Sequence, residues 1–203
     1  AGKTTLIKIL CGLCDPTGGE AFVFGKSIKT EMAEVKNYIA VSPQETSVAV
    51  KLTVKENLDF FAAVYYKDKA ERQRAVDWVV QTFSLGEVLS RRAGRLSGGW
   101  QRRLSIAAAL ISHPKVLFLD EPTLGLDVLA RRELWQVIQK IKGETTIVLT
   151  SHYLEEIEAL CDRVAVLCGG KLAAEGTVAE IMTATGQSTF EDAFVKIVTE
   201  AQK

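Results

Sequence analysis

The feature that constrains this chain most is an apolar run, Val116-Leu117-Phe118-Leu119, that ends in two adjacent carboxylates, Asp120 and Glu121, ahead of Pro122. A short continuous apolar run bounded by turn residues reads as a strand buried on both faces, as in parallel sheets. Buried strands do not carry adjacent carboxylates without a reason, because an unpaired charge loses far more in hydration than packing returns. Open α/β sheets place ligands at the carboxyl ends of their strands. An aspartate there suits a magnesium ion, and a neighbouring glutamate suits polarising a water for phosphoryl transfer. The bland alternative is a strand that simply ends in a polar turn.

The surroundings support a sheet. A helix begins after Leu96-Ser97-Gly98-Gly99 and closes at Ser112-His113-Pro114. After the carboxylates, helix 128–141, strand 146–149, helix 154–160 and strand 164–167 alternate, which predicts a parallel sheet covered by helices. Upstream, residues 3–13 have helical apolar spacing, residues 20–24 read as a strand with a turn at Gly25-Lys26, and residues 38–41 as a second short strand ending at Pro43-Gln44. Thr53-Val54-Lys55-Glu56 is a capping-box pattern that opens a helical stretch, with another helix at 70–83. A Gly169-Gly170 turn leads into a strand at 171–174, followed by two terminal helices, the last near 190–201 with Ser188-x-x-Glu191 as its expected cap. The expected fold class is α/β, with a parallel-sheet core, a small antiparallel part and a helical subdomain over about 53–112.

At 203 residues and 47% hydrophobic content the chain suits one domain with a packed core. Its 25 basic and 25 acidic residues cancel, so nothing global favours nucleic acid or an anionic membrane surface. No apolar run approaches the roughly 20 residues needed to cross a bilayer. The chain opens Ala1-Gly2-Lys3 with neither an initiator Met nor a leader sequence, so a truncated cytoplasmic protein is expected. Cys11-x-x-Cys14 has metal-ligand spacing, but Cys11 ends an apolar helical pattern and Cys161 and Cys168 flank an apolar strand, as buried hydrophobes do.

Two further motifs carry phosphate chemistry. Ala1-Gly2-Lys3-Thr4-Thr5 matches the second half of G-x-x-x-x-G-K-[ST], in which backbone amides cradle phosphates, the lysine reaches the β and γ oxygens and the hydroxyl ligates magnesium; without the first glycine, Gly-Lys-Thr reads equally as an ordinary helix start. Ser97-Gly98-Gly99 sets a glycine pair at a helix N-terminus, where free amides favour an anion; Ser97 reads equally as an N-cap. Ser-Gly-Gly-x-Gln followed by Arg-Arg, a helix, His-Pro and Leu-Phe-Leu-Asp-Glu-Pro-Thr-Leu-Gly-Leu-Asp resembles the signature motif and Walker B of ATP-binding cassette (ABC) ATPases, members of the P-loop NTPases. Gly2-Lys3-Thr4, Gln44, Ser97-Gly98-Gly99, Asp120-Glu121, Asp127 and Ser151-His152 occur in that family's order, so the resemblance covers essentially all of residues 1–203.

The resemblance implies roles. Gly2, Lys3, Thr4 and Thr5 would bind the phosphates of ATP; Thr4, Gln44 and Asp120 would hold Mg2+; Glu121, His152 and Gln44 would serve hydrolysis. Ser97, Gly98, Gly99 and Asp127 would meet the nucleotide of a second nucleotide-binding domain, since each ATP in this family is sandwiched between two subunits. Read alone, Gln44 is a loop glutamine, Asp127 an N-cap and His152 a surface histidine. Transmembrane permease subunits, or a larger polypeptide, would complete a transporter at the cytoplasmic face of the plasma (inner) membrane, with no nucleic acid involved. Thr53-Val-Lys-Glu-Asn-Leu, the run from Ser151 to Val164 and Phe190-Glu-Asp-Ala-Phe resemble the bacterial type-2 exporters of drugs, lipids or polysaccharides. Trp100 and Leu124 depart from the usual pattern. The alternatives are a soluble ABC ATPase acting on ribosomes or chromosomes, or a non-hydrolysing nucleotide-binding module. Against the family pattern the chain lacks the opening strand and the start of the phosphate loop, so it is expected by itself to bind ATP weakly or not at all.

Overall fold

The computed structural model describes residues 1–202. In chain order the elements are α1 (Lys3–Leu10), a hairpin of β1 (Phe22–Val23) and β2 (Lys26–Ser27), a one-turn α2 (Met32–Val35), β3 (Ile39–Ser42), α3 (Val54–Tyr65), α4 (Lys69–Thr82), α5 (Gly98–Leu110), β4 (Val116–Asp120), α6 (Val128–Ile141), β5 (Thr146–Thr150), α7 (Leu154–Leu160), β6 (Val164–Cys168), β7 (Lys171–Gly176), α8 (Val178–Thr185) and α9 (Phe190–Ala201).

β4 is buried along its whole length, as its unbroken apolar run predicts. It lies between β3 and β5, parallel to both. The register sets Ser42 opposite Leu119 and Asp120 opposite Thr150, so all three strands finish at one edge. Side chains alternate across the sheet. Leu117 and Leu119 enter the main core with Leu58 and Ala62 of α3, Val76 and Val79 of α4, Leu104 and Leu110 of α5, and Leu134 and Ile138 of α6. Val116 and Phe118 pack on the opposite side against Ile7 and Cys11. The helical subdomain therefore shares its core with the sheet. Trp100 is half-buried against the same core, with the Arg103 guanidinium 4.8 Å from its ring centre, while Leu124 is exposed. A separate cluster joins Val166, Ile181, Phe190, Ala193 and Ile197 in the C-terminal part.

Local signals hold where side chains act on their own backbone. The Thr53 hydroxyl accepts from the Glu56 amide at 3.2 Å, and the Glu56 carboxylate accepts from the Thr53 amide at 2.7 Å. Thr177 and Glu180 make a second capping box, at the start of α8. Elsewhere the structure corrects the expectations. α1 stops at Leu10, before residue 13, because Gly12 turns into the left-handed region at φ +66°. The strand expected at 20–24 is only Phe22–Val23. α9 is capped by Thr189, which accepts from the Asp192 amide at 3.1 Å, one residue later than the expected Ser188 pattern. The strand at 164–167 does not extend the parallel sheet. Gly169 and Gly170, both at positive φ, fold β7 straight back onto β6 as an antiparallel pair, a closure that needs no crossover. A cleft of about 720 Å³ separates β5 from β6, with Lys3 and Ser151 at its lining.

Leu58 is fully buried in the shared core, so Leu58→Ala is expected to lower unfolding free energy by about 2–5 kcal/mol in urea titrations. Thr53→Ala, which removes one capping box, is expected to cost about 1 kcal/mol in the same titration.

Candidate functional site

The site begins where β4 ends. Asp120 is 3% exposed, and its Oδ1 accepts from the hydroxyl of its register partner Thr150 at 2.6 Å. Among the described residues its second oxygen makes no hydrogen bond. Glu121 turns out of the strand at φ +47°, in the left-handed region that a side chain disfavours. Its amide donates both to the Thr150 carbonyl and to the Thr150 hydroxyl, each at 3.1 Å, which holds the turn against its strain. Strain of this kind gathers at functional sites.

The strained carboxylate is gripped at both oxygens. Lys3 Nζ lies 2.7 Å from Oε1 and also donates to the Ser151 carbonyl at 2.9 Å. His152 Nδ1 donates to Oε2 at 2.6 Å. The imidazole stacks on Tyr153 with 4.1 Å between ring centres, and the Arg131 guanidinium lies 5.0 Å from the Tyr153 ring. Burial raises the Glu121 carboxyl, but its bonds to Lys3 and His152 outweigh burial and hold it below the usual glutamate range.

Lys3 reaches Glu121 from the first position of α1, whose N-cap is Gly2 at φ +96°, a conformation that only glycine adopts without strain. The first amides of a helix have no intrahelical acceptor, and α1 has no acidic residue in its first turn. The half-buried Thr4 and exposed Thr5 make no side-chain hydrogen bond among the described residues. A cation, free amides and two unengaged hydroxyls at one helix start suit a polyanion. Gln44 is exposed on the loop after β3, two residues beyond Ser42, and thus at the same sheet edge. The oxygens of Thr4, Asp120 and Gln44 are hard donors suited to magnesium. No group of three or more His, Cys, Asp or Glu among the described residues is placed to hold a metal.

The remaining candidates form a second group. Ser97 is the N-cap of α5, but its hydroxyl makes no capping bond and is exposed. A Cβ on Gly99 would stand 2.9 Å from Ala130 Cβ, and one on Gly98 3.8 Å from a Leu126 methyl, so the glycine pair lies against the start of α6. Asp127 caps that helix by accepting from the Ala130 amide at 2.9 Å. No hydrogen bond or ion pair among the described residues links Ser97, Gly98, Gly99 or Asp127 to Lys3, Asp120, Glu121 or His152. Sequence reasoning gave no role to Thr150, Tyr153 or, although it named Ser151 in the motif, Ser151, because their parts here depend on cross-strand register, a main-chain carbonyl and ring stacking. It counted Arg102-Arg103 in the motif but gave Arg102 no role.

Because the folded protein favours ionised Glu121, the carboxylate contributes stability above the unfolded glutamate range and loses it as pH falls through the depressed folded value. Glu121→Gln is therefore expected to be less stable than the parent at neutral pH, with the gap closing on acidification below the ordinary glutamate range, as read from denaturation midpoints across pH.

The ABC transporter family model matches residues 1–124. ABC transporter A family member 5 of Arabidopsis thaliana is 40% identical over 190 residues, 93% of this chain and 20% of that protein. The human phospholipid-transporting ATPase ABCA3 is 38% identical over 172 residues, 85% of this chain and 10% of that protein. The chain thus spans a fifth or less of the length of these curated relatives. The solved structure of an ATP binding subunit of an ABC transporter superposes with a TM-score of 0.83 at 28% identity, covering 97% of this chain and 83% of that one. The chain belongs to the ABC transporter family and has the fold of that family's ATP-binding subunits.

Proposed function

We propose that the chain is the ATP-binding and ATP-hydrolysing domain that powers an ABC transporter. The observation that carries this reading is the convergence of Lys3, Asp120, Glu121 and His152 at the carboxyl edge of a parallel sheet, beside the free amides of α1. Gly2, the amides of Lys3, Thr4 and Thr5, and the Lys3 ammonium bind the phosphates of ATP. Thr4, Asp120 and Gln44 hold Mg2+, which when bound neutralises charge on the phosphate oxygens. Glu121 orients and deprotonates the attacking water, and His152 bonds the terminal phosphate.

The ion pair between Lys3 and Glu121 bears on this chemistry. While Lys3 grips Glu121 the carboxylate is held as a weak base. A triphosphate competes for the same ammonium, and a Glu121 released from it regains basicity next to the site of attack. Binding of substrate and activation of the base are thereby linked through one lysine.

The separation of Ser97-Gly98-Gly99 and Asp127 from this cluster supports pairing: the signature of one domain closes over the nucleotide of a second nucleotide-binding domain. ATP then increases the affinity between domains and hydrolysis releases them. No helix among the described residues is long and apolar enough to cross a membrane. Passage through the bilayer therefore falls to permease subunits or to membrane-spanning parts of a longer polypeptide, with this domain at the cytoplasmic face. The name of one relative, a phospholipid-transporting ATPase, supports a lipid as cargo, and the motif resemblance to type-2 exporters supports outward movement.

The test is magnesium-dependent ATP hydrolysis by the whole protein as the cell makes it, reconstituted in lipid vesicles. Glu121→Gln is expected to retain ATP binding and to hydrolyse about 100- to 10,000-fold more slowly. Absence of hydrolysis in the parent, with its partners present, would leave a nucleotide-binding module in place of an ATPase.

A further inference from the structure

Arg102 is 4% exposed, on the first turns of α5. Among the described residues it takes part in no ion pair. Its guanidinium is instead spent on main-chain carbonyls. Nε donates to Pro122 at 2.9 Å, Nη2 to Asp120 at 3.0 Å, and Nη1 to Gln44 at 3.4 Å and to Pro43. Two of these carbonyls flank Glu121, and the other two belong to the loop that carries Gln44. Burial lowers the guanidinium to about 10, with Asp120 and Glu156 opposing that fall. Losing the guanidinium would leave these carbonyls without their donor, so part of its value is stability. A planar fork that meets carbonyls from two segments is a reason of another kind.

We propose that Arg102 is a positioning residue for ATP hydrolysis, tying the Gln44 loop to the Asp120-Glu121-Pro122 turn so that the two move as one body. The proposal rests on the ATPase reading above. Gln44 and Asp120 are the oxygens set to share one cation, and Glu121 must face the water attacking the phosphate; none of these relations survives if the loop and the strand end drift independently. Arg102 reaches none of the reacting atoms. It acts through main-chain carbonyls, so its side chain's geometry, more than its charge, carries the effect. Lysine retains the charge but has a compact ammonium on a flexible stem and cannot span both segments with fixed geometry.

The experiment uses the whole protein in vesicles, with Arg102→Lys and Arg102→Met beside the parent. Three quantities are read: ATP affinity, kcat, and hydrogen exchange of amides at 43–47, 120–124 and within α3. Arg102→Lys is expected to bind ATP within about twofold of the parent while kcat falls about 10- to 100-fold, the scale of a small misplacement of catalytic groups. Exchange at 43–47 and 120–124 is expected to rise together, with α3 unchanged. Parental kcat in Arg102→Lys, loosening of one segment without the other, or a rise extending through α3 would each overturn the proposal. Should Arg102→Met fail to fold, Arg102→Lys carries all three measurements. If the parent itself proves not to hydrolyse ATP, the ATPase reading fails separately, and exchange alone decides whether Arg102 joins the two segments.

Discussion

Everything at this site depends on placing charge at the end of a strand that has none of its own exposure. β4 is buried throughout, so Asp120 and Glu121 leave the sheet where the dielectric is low and an unpaired carboxylate is costly. The structure answers with partners: the Thr150 hydroxyl for one oxygen of Asp120, and Lys3 and His152 for the two oxygens of Glu121. The partners come from two segments, the start of α1 and the end of β5 with the residues just after it. The cost of burying the carboxylates thus draws α1, β4 and β5 into one arrangement, and the same low dielectric strengthens any charge that replaces these partners.

Packing then extends this local constraint across the domain. The two faces of β4 bury alternate side chains, one set against α1 and the other in a core shared with α3, α4, α5 and α6. Because close-packed interiors transmit displacement instead of absorbing it, a shift of α3 or α4 is felt at the sheet that carries the carboxylates. Arg102 gives that link a polar component, since it leaves α5 and ends on the carbonyls of two site-bearing segments. A helical subdomain with its own separate core would have no such purchase on the site.

Much of the site was legible residue by residue. The glycine before Lys3, the paired carboxylates after an apolar strand and the glycine pair opening α5 are short-range patterns, each with a local physical cause. The helices α6 and α7 follow their predicted spans because apolar spacing acts within a few residues, with the Asp127 cap added at α6. The strand at 164–167 was read correctly as a strand and wrongly as a member of the parallel sheet, since pairing depends on which edge lies nearby and not on the strand's own residues. Asp127 shows the converse: its capping bond, a bland local reading, is formed, while any second role depends on another domain.

The sequence by itself determined the candidate site residues and the elements that hold them, because strand burial, capping and the glycine at an α1 start are decided within a few residues of chain. Only the tertiary structure decided that Lys3 and His152 share a single carboxylate, that Thr150 steadies both Asp120 and Glu121, that Arg102 spans two loops, and that Ser97-Gly98-Gly99 stands apart from the cluster. Those relations join residues 18 to 118 positions apart, and their formation depends on strand register and on the cost of leaving buried polar groups unpaired, neither of which is written in any one segment.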